Sequence, residues 1–297
     1  MSKYALLRDR LFDEGILAAG DILRPEPLDA SVLTLVHTPV YLAKLGSSGL
    51  SASEQRRLGL PWSETLWQRS LLASAGTLLA ARAALIDGLA GNLAGGTHHA
   101  FADHGEGFCV LNDVAIAIRK LQAERLIERA AVIDLDVHQG NGTASIFEAD
   151  DAVFTFSMHG ERNYPLAKMR SNLDVPLQDG TGDAQYLDSL QKHLPVALGA
   201  ANADIVFYLA GVDVVAGDRY GRLGLSEQGL MHRDREVIAT VLGRGAPLVI
   251  VPAGGYAATR ERTAELHAHA FREGSAYHRS TERCRAGAAT TPLSSTL

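Results

Sequence analysis

The sequence predicts a single α/β domain, a mainly parallel sheet with helices covering both faces, over residues 1–274 of the 297. Three observations carry that prediction. From about residue 130 onward, short β-branched runs alternate with helical patterns, and parallel neighbours need such crossover connections. Hydrophobic residues make up 46% of the chain, enough at this length for a substantial core. The chemically suggestive residues fall at the carboxyl ends of the strand runs, where open α/β sheets bind ligands.

The elements follow in order. Leu6, Leu7, Leu11, Ile16 and Leu17 recur at helical spacing, and residues 66–89 form a long pattern rich in alanine and leucine. AAVIDLDV then reads as a strand and leads into a helix from about Thr143. DAVFTFS precedes a helix over 184–198, ADIVFYLAGVD one over 226–242, and APLVIVPAGG one over 259–271. No repeat is present. From about Ser275 the chain is rich in Ser, Thr, Ala and Arg without a clear period, which predicts a flexible tail over 275–297.

Composition narrows the function. The formal charge of −6, with acidic and basic residues interspersed, offers no electrostatic footprint for nucleic acid. Cys109 and Cys284 are too few and too far apart for a disulfide framework or a cysteine zinc site, which suits a reducing compartment. MSKYALLRDRL lacks the apolar core of a signal peptide, and no run approaches the length that spans a bilayer, so a cytoplasmic protein without membrane contact is expected.

VIDLDVHQGNG carries the chemistry. Asp134, Asp136 and His138 sit two apart while Ile133, Leu135 and Val137 take the alternate places, so in a strand the three polar groups project from one face. Asp136 and His138 could supply two ligands to a zinc ion, with Asp213, at the equivalent end of another strand run, as the third. The alternative is a solvated strand end with a helix-capping Asp. In NLAGGTHHAFADHGEGFCVLND, His98 and His99 follow a glycine turn, and Gly105 and Gly107 let backbone approach a ligand. One histidine could face a reacting water as a base while the other buttresses it; ordinary surface histidines are the alternative. In VPAGGYA, Tyr256 follows two glycines after a buried strand and could swing its phenol over a site or simply pack.

Taken together, these segments and AGVDVVAGDRYGRLGLS resemble the zinc-dependent histone deacetylase family, in particular its bacterial and class IV members, in family order and over nearly the whole chain to about Phe271. The resemblance implies the arginase/deacetylase-like fold and a deacetylase that hydrolyses the amide of an acylated lysine or an acylated polyamine. It implies zinc on Asp136, His138 and Asp213, His99 as main base and acid, His98 as its electrostatic partner, and Tyr256 on the scissile carbonyl. It also implies that Asp134 accepts a hydrogen bond from His98, a contact of Asn141, where many relatives carry Asp, with His99, and an acyl-lysine channel lined by Gly107 and Phe108. A potassium ion near Asp134, Asp136, His138, Ser157 and Met158 belongs to the same implication. Tyr164 could flank the acyl chain opposite Phe108, or pack against Pro165.

Members of that family usually begin with an edge strand and a loop ahead of a helix like KYALLRDRL, whereas this sequence opens at that helix; the expectation is a missing edge strand and an open pocket rim. Two rivals stand beside the deacetylase. A two-manganese ureohydrolase would need further carboxylates where Gly140 and Val215 stand. A catalytically silent acyl-lysine- or ligand-binding module of the same fold would bind peptide and release no acetate.

Overall fold

Helix signals at the amino-terminal end are local and strong. In the computed structural model, which describes the backbone of residues 2–289 and the side chains of 3–280, they produce α1 (Ser2–Asp13), α2 (Ala30–Leu33), α3 (Pro39–Gly46), α4 (Ala52–Leu58) and α5 (Glu64–Asp87). Thr38, Ser51 and Ser63 cap the last three, each accepting a backbone N–H three residues on, and Gly88 closes α5 in the left-handed region. Against the expectation that no run has spanning length, α5, at 24 residues, is long and apolar enough by length and composition to cross a bilayer. Its apolar residues serve the protein's own core: Leu66, Leu71, Leu78 and Ala81 lie in one buried cluster with Val114, Ile118 and Leu121.

Beyond α5 strands alternate with helices except between β3 and β4, which a loop joins. The order is β1 (Leu89–Gly91), α6 (Asp113–Ala123), β2 (Ala130–Asp134), α7 (Asn141–Phe147), β3 (Val153–Gly160), β4 (Leu173–Leu177), α8 (Asp183–Ala201), β5 (Ile205–Leu209), α9 (Glu227–Gly243), β6 (Leu248–Val251) and α10 (Arg260–Ala289). All six strands are parallel, in the order β1-β6-β5-β2-β3-β4. Ala130 and Val132 point into the cluster under α5 and α6, while Ala131 and Ile133 point into the one with Leu190, Leu194, Val237 and Leu266 of α8, α9 and α10. Helices therefore cover both faces, as predicted. Leu7 and Leu11 of α1 pack on Ala264 and Ala268 of α10.

Three elements escape the sequence pattern for physical reasons. β1 has only three residues, and the edge strand β4 contains Pro176 and is half exposed. α6 opens on Val114, Ala115, Ile116, Ala117 and Ile118, a short buried apolar run that reads as readily as a strand as a helix. The helix expected over 259–271 runs further than its apolar period: helical backbone continues through Ala289, past Ser275. Residues 290–297 of the expected flexible tail lie outside the described residues.

The chain leaves β2 toward β3 and β4, then returns to its other side for β5 and β6. The β2/β5 boundary is thus the topological switch point, where the strand ends splay apart and leave a crevice.

Candidate active site

Three ligand-type side chains meet in that crevice. β2 ends at Asp134, earlier than the predicted run, yet the alternation persists: Leu135 and Val137 stay in the core while Asp136 and His138 turn to the opposite side. His138 Nδ1 lies 2.9 Å from Asp136 Oδ1 and 3.3 Å from Asp213 Oδ2. The three candidate ligand atoms all fall within 4.8 Å of one another, and among the described residues this is the one such group of three. Backbone amides hold the carboxylates in place: Val137 donates to Asp213 Oδ1 (2.9 Å), His138 to Asp136 Oδ1 (2.9 Å) and Gly254 to Asp136 Oδ2 (2.6 Å). Asp213 Oδ2, fully buried, has no hydrogen-bond partner. An orphaned carboxylate oxygen beside an imidazole nitrogen and a second carboxylate fits a divalent cation with mixed oxygen and nitrogen ligands. Glycine is required at 254, since a Cβ there would stand 2.0 Å from Asp213 Oδ2 and 2.4 Å from Asp136 Oδ2.

The double histidine sits beside the trio. Residues 98 and 99 form a turn, so both rings enter the site, 4.1 Å apart between centroids; adjacent side chains diverge only on an extended segment. Asp113, buried at the start of α6, fastens this loop by accepting from the Gly96 and Thr97 amides at 3.0 and 2.8 Å. His98 Nδ1 pairs with Asp134 Oδ2 at 2.6 Å, and His99 Nδ1 with Asn141 Oδ1 at 2.6 Å. Gly107, at φ +56°, lies over His99, where a Cβ would approach Cδ2 to 2.5 Å.

The rim is aromatic. Phe108, Tyr164 and Tyr220 are each about two-fifths exposed. The Tyr220 ring meets Tyr256 edge-on at 4.8 Å, and Phe108 stands 6.2 Å from Tyr256. Tyr164 lies edge-on to His99 at 5.0 Å and donates its hydroxyl to Glu106 Oε1 at 2.7 Å. It therefore stands over the site in addition to neighbouring Pro165. Lys3 of α1 donates to the carbonyls of Ala253 and Gly255 at 3.4 Å each, bracing the turn that carries Tyr256.

Burial and charge set the proton affinities. Burial, reinforced by the neighbouring His98 and His138 rings, holds His99 well below the ordinary histidine range, so it is neutral. Burial would lower His98 too, but the charge of Asp134 outweighs it and raises His98 to about 9. For His138, burial is outweighed by the hydrogen bond to Asp136 and by Asp213, which together raise it to about 10. Burial and the charge of Asp136 push Asp213 up to about 6.

Asp134, Asp136, His138, Asp213, His98, His99, Asn141 and Gly107 thus come together in this crevice, with Phe108, Tyr164 and Tyr256 at its rim, whereas Gly105 packs against Tyr41 and Leu58 and Met158 lies in the core. Asp134 pairs in register with Ser157 of β3, which puts the potassium candidates on adjacent strands. Gly140 and Val215 stand where a second metal would need carboxylates. Sequence reading missed Glu106, Tyr220 and Lys3. The charged residue between two glycines in HGEGF was a usable signal for Glu106; Lys3, some 250 residues from its partners, carried none.

Residues 1–272 match the histone deacetylase domain family. The chain is 48% identical over 257 residues to an uncharacterized protein of Picosynechococcus, covering 86% of each. It is 34% identical over 266 residues to histone deacetylase 2 of Arabidopsis thaliana, covering 86% of this chain and 68% of that one. It is 29% identical over 272 residues to a histone deacetylase-like amidohydrolase of Pseudomonas aeruginosa, covering 84% and 70%. The crystal structure of the HDA15 HD domain shares the fold with a TM-score of 0.76 at 20% identity, covering 94% of this chain and 83% of that chain.

Proposed function

This chain belongs to the histone deacetylase family, and on that premise we propose that it is a zinc-dependent amidohydrolase that removes an acyl group, acetyl foremost, from a lysine side chain or a polyamine. Family and fold support deacetylase or amidohydrolase chemistry. The observation that carries the finer reading is the convergence of Asp136, His138 and Asp213 beside a neutral, buried His99.

Zinc held by those three residues would polarise the scissile carbonyl and acidify a water. The residues of the chain do the rest. His99, its Nδ1 bonded to Asn141, has Nε2 available to take a proton from water and later to protonate the departing amine. His98, charged and paired with Asp134, supplies a fixed positive field beside it. Tyr256, whose phenol is pushed far up by burial, keeps its proton and donates it as a hydrogen bond to the carbonyl oxygen as negative charge builds there. Gly107 and Phe108 would flank the acyl-lysine stem. A potassium ion near Asp134, Asp136, His138 and Ser157 is part of the same proposal.

The test is release of acetate from an acetyl-lysine peptide, run beside longer acyl groups and acetylated polyamines, with zinc measured on the same sample. About one zinc per chain is expected. His99→Ala should keep the zinc and lose about 10²- to 10⁴-fold in turnover. A wild-type protein that binds zinc and peptide yet releases no acid would instead be a binding module.

A further inference from the structure

Glu106 is bonded to the machinery and has no place in the chemistry so far. Its Oε1 accepts from Asn141 Nδ2 at 2.5 Å and from the Tyr164 hydroxyl at 2.7 Å, and His104 Nε2 lies 3.6 Å from Oε2. A carboxylate only accepts, whereas a side-chain amide has one end of each kind. With Nδ2 turned to Glu106, Asn141 must present Oδ1 to His99, at 2.6 Å. That oxygen can only accept, so His99 carries its proton on Nδ1 and leaves Nε2 bare.

We propose that Glu106 is a positioning residue which, by fixing the orientation of the Asn141 amide, selects the histidine tautomer in which His99 Nε2 is the base. The inference rests on the deacetylase reading for its catalytic consequence, not for the tautomer itself. An aspartate at 141 would accept from His99 whichever way it turned. An asparagine does not. Without an acceptor-only neighbour it can reverse, offer Nδ2–H to His99 Nδ1 and stabilise the tautomer protonated at Nε2, which cannot accept a proton from water. Burial opposes ionisation of Glu106, but the nearby His104 ring and the hydrogen bonds from Tyr164 and Asn141 outweigh it and hold the carboxyl below its ordinary range, consistent with an acceptor. The Glu106 side chain is about 15% exposed and sits two residues before Phe108, so one loop places both this carboxylate and the channel wall.

Glu106→Gln separates polarity from packing, because glutamine has the same shape and satisfies Asn141 either way round. If Glu106 only fills space, kcat is unchanged. If it orients the amide, kcat for acetate release falls about ten-fold or more with KM changing by less than about two-fold; the ~10⁴-fold cost of a wrong histidine tautomer in a serine-protease triad bounds the effect. The sign should reverse in an Asn141→Asp background: two carboxylates then face each other, so the single variant is impaired and adding Glu106→Gln raises its kcat. An independent readout uses metal-free protein with ¹⁵N-labelled histidine, assigned by difference from His99→Gln. His99 should show one tautomer, protonated at Nδ1, in the wild type and a mixture in Glu106→Gln. Unchanged ¹⁵N shifts, or the same sign of effect in both backgrounds, would overturn the proposal. A wild-type protein inactive on every acyl substrate would instead sink the deacetylase reading, and the ¹⁵N comparison would still decide the role of Glu106.

Discussion

Tyr256 illustrates how a single side chain depends on its surroundings for its chemistry. Its ring is wedged between Phe108 and Tyr220 at 6.2 and 4.8 Å, and Lys3 Nζ sits 5.5 Å from the ring centroid. A phenol so buried stays protonated and can stabilise an oxyanion with little reorganisation. Tyr256→Phe should therefore lower kcat about 10²- to 10³-fold while leaving zinc content unchanged, since the hydroxyl is no ligand. Equal zinc with unimpaired kcat would remove Tyr256 from the reaction. The identity of this residue was readable in PAGGYA. Its aromatic neighbours were not, because Phe108 and Tyr220 are far from it in sequence and only the folded loops bring the three rings together.

At the scale of elements, α9 secures the ends of β2 and β5 from behind. Arg233 is fully buried, donates to the Leu135 carbonyl beyond β2 (3.3 Å) and the Gly211 carbonyl beyond β5 (2.5 Å), and pairs with Asp234 at 2.8 Å. Tyr208 of β5 donates to the same carboxylate at 2.5 Å. Replacing Arg233 by Met leaves a buried carboxylate without its partner and frees two carbonyls, so a loss of about 3–5 kcal/mol is expected in urea denaturation. Adding Asp234→Leu should recover much of it; failure to recover would mean the carbonyl bonds dominate. β2, β3, β5 and β6 were legible because their apolar runs are long and bounded. β1, β4 and α6 were not: two are short edge strands, and the third opens on a short buried apolar run that does not distinguish helix from strand.

For the whole molecule, stability couples to protons and, on the proposed zinc site, to metal as well. His37 is fully buried, with Nδ1 3.0 Å from the Phe101 carbonyl and Nε2 accepting from the Asn112 amide at 3.0 Å, so it clips the amino-terminal helices to the double-histidine loop. Burial pushes it down from its ordinary 6.5 to about 4. The unfolded chain then binds the proton more readily. Stability from this group is complete above about pH 6.5 and falls toward pH 4, by about 2 kcal/mol between pH 6.5 and 5. His159, lowered to about 4 by burial, acts in the same direction, so His37→Gln should flatten the slope without abolishing it. A slope identical in the variant would assign the effect elsewhere. If zinc fills the Asp136–His138–Asp213 site as proposed, it would act by mass action: at about 100 times its dissociation constant it should add about 2.7 kcal/mol, lost on chelation and absent in Asp213→Ala.

What the amino-acid sequence determined by itself is local in origin. Side-chain alternation sends Asp134, Asp136 and His138 to one side of a strand end, and the spacing of strand and helix signals requires a parallel α/β sheet. Chain geometry alone enforces both. Tertiary structure decided which distant groups touch: that Asp213 completes the trio from across the switch point, that Glu106 rather than solvent meets Asn141, and that Lys3 braces a turn at the far end of the chain. Such contacts depend on how separate segments pack against one another, and no periodicity within a segment encodes them.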